Sequence, residues 1–461
     1  MKQNSLSTVV VWQTVSKFLL QGIAFFTTPI FTRLLSTNDY GCISIYGTWV
    51  SIFALFIGLQ TSGSIPMAIV KYENNLNKYL SSIMLLSFFS FLLIFILVFL
   101  TRNYLSKILG LDTILVLMIC VQSFFSFVIG FFSTKLIQQK KVKINFFISL
   151  LITLLSTFLS LFFLWNLNCE KYFSKLLGNF IPLVLVGFIL FIIVIFQGKC
   201  IKKEYLIFCL SISIPLIFHG AGDLILGQSD RIMIKKIIGD NEVGIYSIAA
   251  NLVSILSIIW ASFNSSWVPF YYEYRKNNSY DEIISKSQGY MFTFTIITLG
   301  FLMCSPEVFK LMAPITYWKG ISYVPFFVLS VYFNFLYSFP VNFEFYAQNT
   351  KMIATGTVIT ALLNIILNYF LIKRYSGFGA VFATVISFSI LFVFHDIIAR
   401  FFIRNDKYYY NYFFYFKGLL VVLIFIAIYY IFIDLWYIRW ILAIILGIIL
   451  IVKFIKTKSV F

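Results

Sequence analysis

Charged side chains are scarce in this chain, 35 basic and 17 acidic among 461 residues, so each one set inside an apolar stretch carries information. Lys17 lies in the run VVVWQTVSKFLLQGIAFF, with Gln13 and Gln21 four residues to either side. On a helix these three share one face, and a cation flanked by amides suits an anion that also carries hydroxyl groups. Lys17 sits about nine residues into the run, or about 14 Å at 1.5 Å per residue, too deep to snorkel. It therefore requires either an anion in a cavity or an internal salt bridge. His219 and Asp223, four apart in another apolar stretch, can meet across one helical turn. Such a pair is either a protonation switch, because histidine titrates near neutral pH, or a mutually satisfied pair in a polar seam. Arg33, Asp230, Arg231, Lys235 and Lys236 stand at the ends of apolar runs and read as interfacial anchors, which would ring one mouth with basic groups. His395 and Asp396, at the end of a further run, are expected to bond locally. The cysteines at 42, 120, 169, 200, 209 and 304 show no CxxC pair and no metal-ligand spacing, so they read as small apolar filler. No catalytic residue, metal or cofactor is expected.

These groups need helices to hold them. The composition, 61% hydrophobic and 11% charged, excludes a soluble protein, whose surface would need about a quarter of its residues charged. Apolar stretches run at about 8–30, 41–66, 80–100, 113–134, 145–167 and 176–197, then at about 206–228, 243–268, 288–305, 322–343, 352–372 and 378–399, and last at about 412–433 and 436–455. The expected fold is all-α, a polytopic membrane protein of about 14 transmembrane helices. The first run is too long for a signal-peptide core and lacks a small-residue cleavage site, so it is expected to remain as the first membrane helix. Lysines at 135, 140, 141 and 143, at 199, 202 and 203, and at 453, 456 and 458 put the basic excess on the side of the termini, which are predicted to be cytoplasmic. The loop holding Arg231, Lys235 and Lys236 runs against that bias. The net charge of +18 then reflects topology signals near anionic headgroups, with no nucleic acid implied. The longest connection is expected at about 269–287, on the cytoplasmic side.

The segment from Arg33 to Pro66 aligns without gaps on Lys236 to Pro269. That register pairs Asn38 with Asn241, Asp39 with Glu242, Gly41 with Gly244, Ser44 with Ser247 and the Val-Ser-Ile at 50–52 with that at 253–255. It carries the first two spans onto the seventh and eighth, so the copies run in the same direction. The prediction is two parallel-repeat six-helix lobes, 1–200 and 201–405, with two additional helices at 406–461 and a substrate path at the seam. The acidic-Gly sequences at 38–41 and 241–244 are expected to cap helices. Polar stripes at spacings of three and four mark the first, second, seventh and eighth spans as the lining of that seam, Asn251 among them, although small polar residues also serve helix packing.

The stretches TPIFTRLLSTNDYGCISIYGTWVSI and DRIMIKKIIGDNEVGIYSIAANLVSI resemble the polysaccharide-synthesis flippases of bacteria. These include the O-antigen and capsular repeat-unit flippases of the multidrug/oligosaccharidyl-lipid/polysaccharide exporter superfamily. The resemblance implies a multi-pass protein of the bacterial inner membrane that carries undecaprenyl-pyrophosphate-linked oligosaccharide to the periplasmic leaflet by alternating access. It further implies a cationic cavity, in which Lys17, Arg33 and Arg231 would meet the phosphates and Gln13, Gln21 and Asn251 the sugar. Asp223 and His219 would couple transport to a proton or sodium ion. A polysaccharide polymerase and a chain-length regulator would be partners. Many relatives stop at twelve helices, and this chain departs from them in length. Two alternatives remain at this point: a multidrug or cation antiporter, favoured by Asp223 and opposed by Lys17, and a membrane-embedded O-antigen polymerase, which would need a large extracytoplasmic loop.

Overall fold

The structure is a computed structural model that describes residues 19, 20, 22, 23, 25–403 and 407–457. The described chain is helical throughout. The first helix is described over 25–34 (α1), and α2 (Thr37–Gly58) follows after only two residues. A 3-10 turn (Thr61–Ser64) and α3 (Ile65–Lys71) lead into α4 (Leu76–Leu109), α5 (Thr113–Gln138), α6 (Val142–Asn166), α7 (Lys171–Gly198) and α8 (Lys203–Ile237). Then come α9 (Asp240–Lys276), α10 (Tyr280–Met312), a 3-10 segment (Ile315–Tyr323), α11 (Val324–Tyr346), α12 (Thr350–Tyr375) and α13 (Gly377–Ile397), extended by a π turn (Ile398–Phe402). Two more helices, α14 (Tyr412–Ile431) and α15 (Trp436–Thr457), complete the chain. Thirteen helices among the described residues are long and apolar enough to cross a membrane. Most of the first expected span, 8–30, lies outside the described residues.

Several helices exceed what a bilayer requires. The 37 residues of α9 extend about 55 Å, against a hydrocarbon core of about 30 Å. The connection expected at 269–287 shrinks to 277–279 as a result, because α9 and α10 continue as helix beyond the apolar stretch. Prolines at 306, 314 and 325 do not break the ninth and tenth spans apart. Pro306 sits inside α10, Pro314 starts the 3-10 segment and Pro325 occupies the first turn of α11, where its missing N–H costs nothing.

The chain forms two compact units, 1–232 and 233–461. In the N-terminal unit α5 packs against α2, α4 and α7, and α6 packs against α7. The last pair comes close at Gly178, where a Cβ would lie 2.3 Å from the Cα of Ser160. In the C-terminal unit α11 packs against α9 and α13, α12 against α13, and α9 against α10. Three of these pairs, α9–α11, α11–α13 and α12–α13, are the repeat equivalents of α2–α5, α5–α7 and α6–α7. The extra helices α14 and α15 both pack on α10. Lys453 fastens one end of α15, donating to Gly289 O at 3.0 Å and Thr293 Oγ1 at 2.9 Å on α10. Arg439 fastens the other, fully buried and paired with Glu307.

The two copies of the repeat differ in two ways. Ser36 caps α2 in a capping box with Asp39, as a helix start should be capped. In the second copy Gly239 stands at the cap without a side-chain bond, and Glu242 is drawn instead to Lys319 Nζ at 2.7 Å and to the Tyr323 hydroxyl. Both segments open a helix with an acid in its first turn, as expected, but the cap of α2 is Ser36 rather than Asn38. The second difference is a break: α2 ends at Gly58, and Leu59 and Gln60 both adopt left-handed φ values of 49° and 50°, whereas α9 runs unbroken through the equivalent positions. The carbonyl that the break frees on Gly58 accepts from Thr61 Oγ1 at 3.0 Å and Ser87 Oγ at 3.2 Å. Ser64 Oγ donates to Thr61 O at 2.7 Å and accepts from the Tyr79 hydroxyl at 2.7 Å. Irregular backbone at membrane depth requires such partners.

Candidate functional site

The polar groups of the N-terminal unit gather along α8. Its buried edge, Tyr205, Cys209, Ser213, Gly222, Leu226, Asp230 and Ile234, recurs mostly every fourth residue and follows the broken stretch after α2. Tyr72 at the C-cap of α3 donates to Glu204 at 3.2 Å, and Ser213 Oγ donates to Gln60 O at 3.4 Å. A Cβ on Gly220 would lie 2.6 Å from Gln60 Nε2, so glycine permits this approach. Toward its C-terminal end, Gln228 Oε1 accepts from Thr48 Oγ1 of α2 at 3.1 Å and from Arg231 Nη1. Arg231 Nε is buried without a partner. A guanidinium held by one amide, with a donor left over, retains capacity for an anion.

Spacing places His219 and Asp223 on the same face of α8 as that buried edge, one to three turns before Leu226 and Asp230, yet both are exposed. His219 and Asp223 sit at the middle of this helix, with side chains 47% and 61% exposed and His219 Nε2 3.6 Å from Asp223 Oδ2. That separation suits an ion pair and is too long for a hydrogen bond. A carboxylate exposed halfway along a membrane-spanning helix must face water, since lipid offers it nothing. An aqueous space beside this stretch of α8 would satisfy the pair.

The other expected site residues are more dispersed. Lys17, Gln13 and Gln21 lie outside the described residues. Arg33 is exposed at the end of α1 and donates to Pro29 O at 2.8 Å. Lys171 Nζ donates to Leu34 O at 3.1 Å beside it, and Lys175 Nζ stands 3.5 Å over the Phe31 ring. Arg33 and Lys171 thus complement the carbonyl end of α1. Asn251 belongs to the C-terminal unit and is exposed on α9, as are Ser265 and Ser266, while its carbonyl accepts from Ser254 Oγ. Lys235 is paired with Asp240 at 2.7 Å. The structure joins Arg231 to Gln228 and His219 to Asp223. It leaves Arg33 at a helix end and Asn251 in a separate unit.

Two polar sets escaped the sequence reading. Asp396 does bond locally, to Arg400 Nε at 2.6 Å, but His395 reaches across 51 residues to Glu344 Oε1 at 2.6 Å. Both partners are fully buried. Glu344, one residue past the expected span 322–343, is the sole acid of α11. The second set is Lys135, nearly buried at the end of α5, whose Nζ donates to Gln197 Oε1 at 2.8 Å. It had been counted only among the topology signals.

Residues 8–275 match the sequence profile of a family described as polysaccharide biosynthesis protein. Two Haemophilus influenzae proteins align with the chain. One, named Lsg locus putative protein 1, is 22% identical over 354 residues, covering 74% of this chain and 85% of its own. The other, an uncharacterized membrane protein, is 23% identical over 355 residues, covering 74% and 84%. Among solved structures, the lipid II flippase MurJ in its inward closed conformation superposes with a TM-score of 0.75 at 17% identity, covering 98% of this chain and 100% of that one. An inward-facing multidrug resistance MATE family transporter of the MOP superfamily gives 0.64 at 13% identity, covering 88% and 96%. These similarities establish a shared transporter fold.

Proposed function

The chain belongs to the polysaccharide biosynthesis protein family, and from that membership we propose that it is a flippase for undecaprenyl-pyrophosphate-linked oligosaccharide repeat units. It would move them across the bacterial inner membrane by alternating access, for O-antigen or capsular polysaccharide synthesis. The observation that carries this reading is the exposed His219–Asp223 pair at the middle of α8, close along the helix to a partly satisfied arginine. A pyrophosphate-sugar head cannot cross hydrocarbon unaided, because burying uncompensated charge costs too much. A water-filled path with fixed cations and amides removes that barrier, while the polyprenyl tail stays in lipid. In this reading Lys17, Arg33 and Arg231 offset the phosphate charge, and Gln13, Gln21 and Asn251 bond the sugar. His219 and Asp223 take part in coupling to a proton or sodium ion. The termini are cytoplasmic, and a polymerase and a chain-length regulator act on the product.

Asp223 favours a second reading, a cation or drug antiporter, since an exposed carboxylate attracts cations. Depletion of the gene separates the two. A flippase predicts accumulation of the complete lipid-linked unit in a form unreachable from the periplasmic face. A reachable, unpolymerised unit would point to a polymerase, and no accumulation at all would favour the antiporter.

A further inference from the structure

We propose that Glu344 and His395 form a proton-binding site in the C-terminal unit, distinct from His219 and Asp223, whose loading is tied to the packing of α11, α12 and α13. The inference rests on the transport reading above and adds a coupling ion and its binding groups. Both side chains are fully buried, His395 Nδ1 lies 2.6 Å from Glu344 Oε1, and the outer atoms Glu344 Oε2 and His395 Nε2 have no partner. Nε2 abuts the backbone of α12, where a Cβ on Gly356 would lie 2.4 Å away. Side chains that serve only packing seldom leave two polar atoms orphaned in one contact.

The proton count follows from this enclosure. With two exchangeable protons in all, the pair is neutral, either as carboxylate with imidazolium or as carboxylic acid with imidazole. Removing one leaves a net negative charge and adding one a net positive charge, with nothing at Oε2 or Nε2 to receive it. The neighbouring guanidinium groups are engaged elsewhere. The π turn's Arg400 is committed to Asp396 and lies over Tyr412 of α14, Tyr337 of α11 meets the His395 ring edge-on at 5.1 Å, and α12 brings Gly356 against Nε2. Arg275 of α9 lies over the rings of Phe343 and Tyr346, on either side of Glu344, and donates to Lys407 O at 2.8 Å. Tyr408 packs on Phe343, and Tyr415 of α14 on Phe392. In this packing the pair keeps its proton count. Exchange with water requires α12 to part from α13 at Gly356, so a change of proton load and a change of helix packing become one event, as coupling demands.

The test uses the purified full-length protein in liposomes with a lipid-linked oligosaccharide, following translocation with and without a pH gradient. For one proton per cycle, a gradient of one pH unit shifts the steady-state distribution up to about tenfold. Glu344→Gln is expected to remove that shift while exchange without a gradient persists, and His395→Gln to do the same. A full gradient response in a folded Glu344→Gln protein would overturn the proposal. Wild-type protein that moves no oligosaccharide under any condition would instead refute the flippase reading. Should both variants fail to fold, infrared difference spectra of the wild type decide. A buried carboxyl band that changes between substrate-free and substrate-bound protein, at pH values on both sides of neutrality, supports the site, and its absence overturns it.

Discussion

Replacing Arg439 by methionine should destabilise the C-terminal unit, and the size of the effect can be worked from its contacts. Arg439 uses all five N–H donors: Nε to Phe432 O, Nη1 to Met303 O and Glu307 Oε2, and Nη2 to Ile433 O and Glu307 Oε1. Breaking a buried pair from one side costs about 3–5 kcal/mol, because the abandoned charge stays behind. Glu307 is 25% exposed and Arg439 is not exposed at all, so water relieves a stranded carboxylate better than a stranded guanidinium. Arg439→Met should therefore fall at the low end, about 3 kcal/mol, and Glu307→Met at the high end, about 5 kcal/mol. The double variant strands no charge and loses the three carbonyl bonds at Met303, Phe432 and Ile433, for about 2–3 kcal/mol together. Unfolding in detergent, followed by tryptophan fluorescence, should rank Glu307→Met as least stable, then Arg439→Met, then the double variant. A double variant no more stable than Glu307→Met would refute the claim that the pair acts as a unit.

Two further substitutions test other parts of the structure. Arg231→Ala should slow oligosaccharide translocation about ten- to hundredfold, the equivalent of one charged hydrogen bond of about 1.5–3 kcal/mol, and a translocation assay showing an unchanged rate would remove Arg231 from the substrate path. Gln60→Val places a β-branched residue at a left-handed φ and should lower stability by about 1–2 kcal/mol, whereas Gln60→Gly should be neutral or slightly stabilising, as read by thermal melting of the two purified variants.

The helices were legible because lipid imposes one rule on every span, a run of about 20 apolar residues. Hydropathy reports where a helix is buried in lipid and is silent on where it stops, so the extensions of α9 and α10 past the membrane went unseen. The repeat was legible from polar and glycine matches, and three of the helix pairings in each unit correspond under its register. The break after Gly58 was not, since it depends on hydroxyls at 61, 64 and 87 that converge only in three dimensions. Local spacing found His219 and Asp223 because they lie one turn apart. It misassigned His395, whose partner is 51 residues away, because adjacency in sequence favoured Asp396.

The unequal fate of α2 and α9 bears on how such a chain could have arisen. Identical subunits related by a two-fold axis present the same surfaces to one another, so an ancestral pair of unfused halves would have broken both helices or neither. Joining the halves into one polypeptide lifts that constraint. Ala261 and Asn264 could then diverge from Gly58 and Thr61, leaving α2 interrupted and α9 continuous. The halves have ceased to be exchangeable parts, and a protein assembled from two copies of either one would lack a conformation that the fused chain possesses.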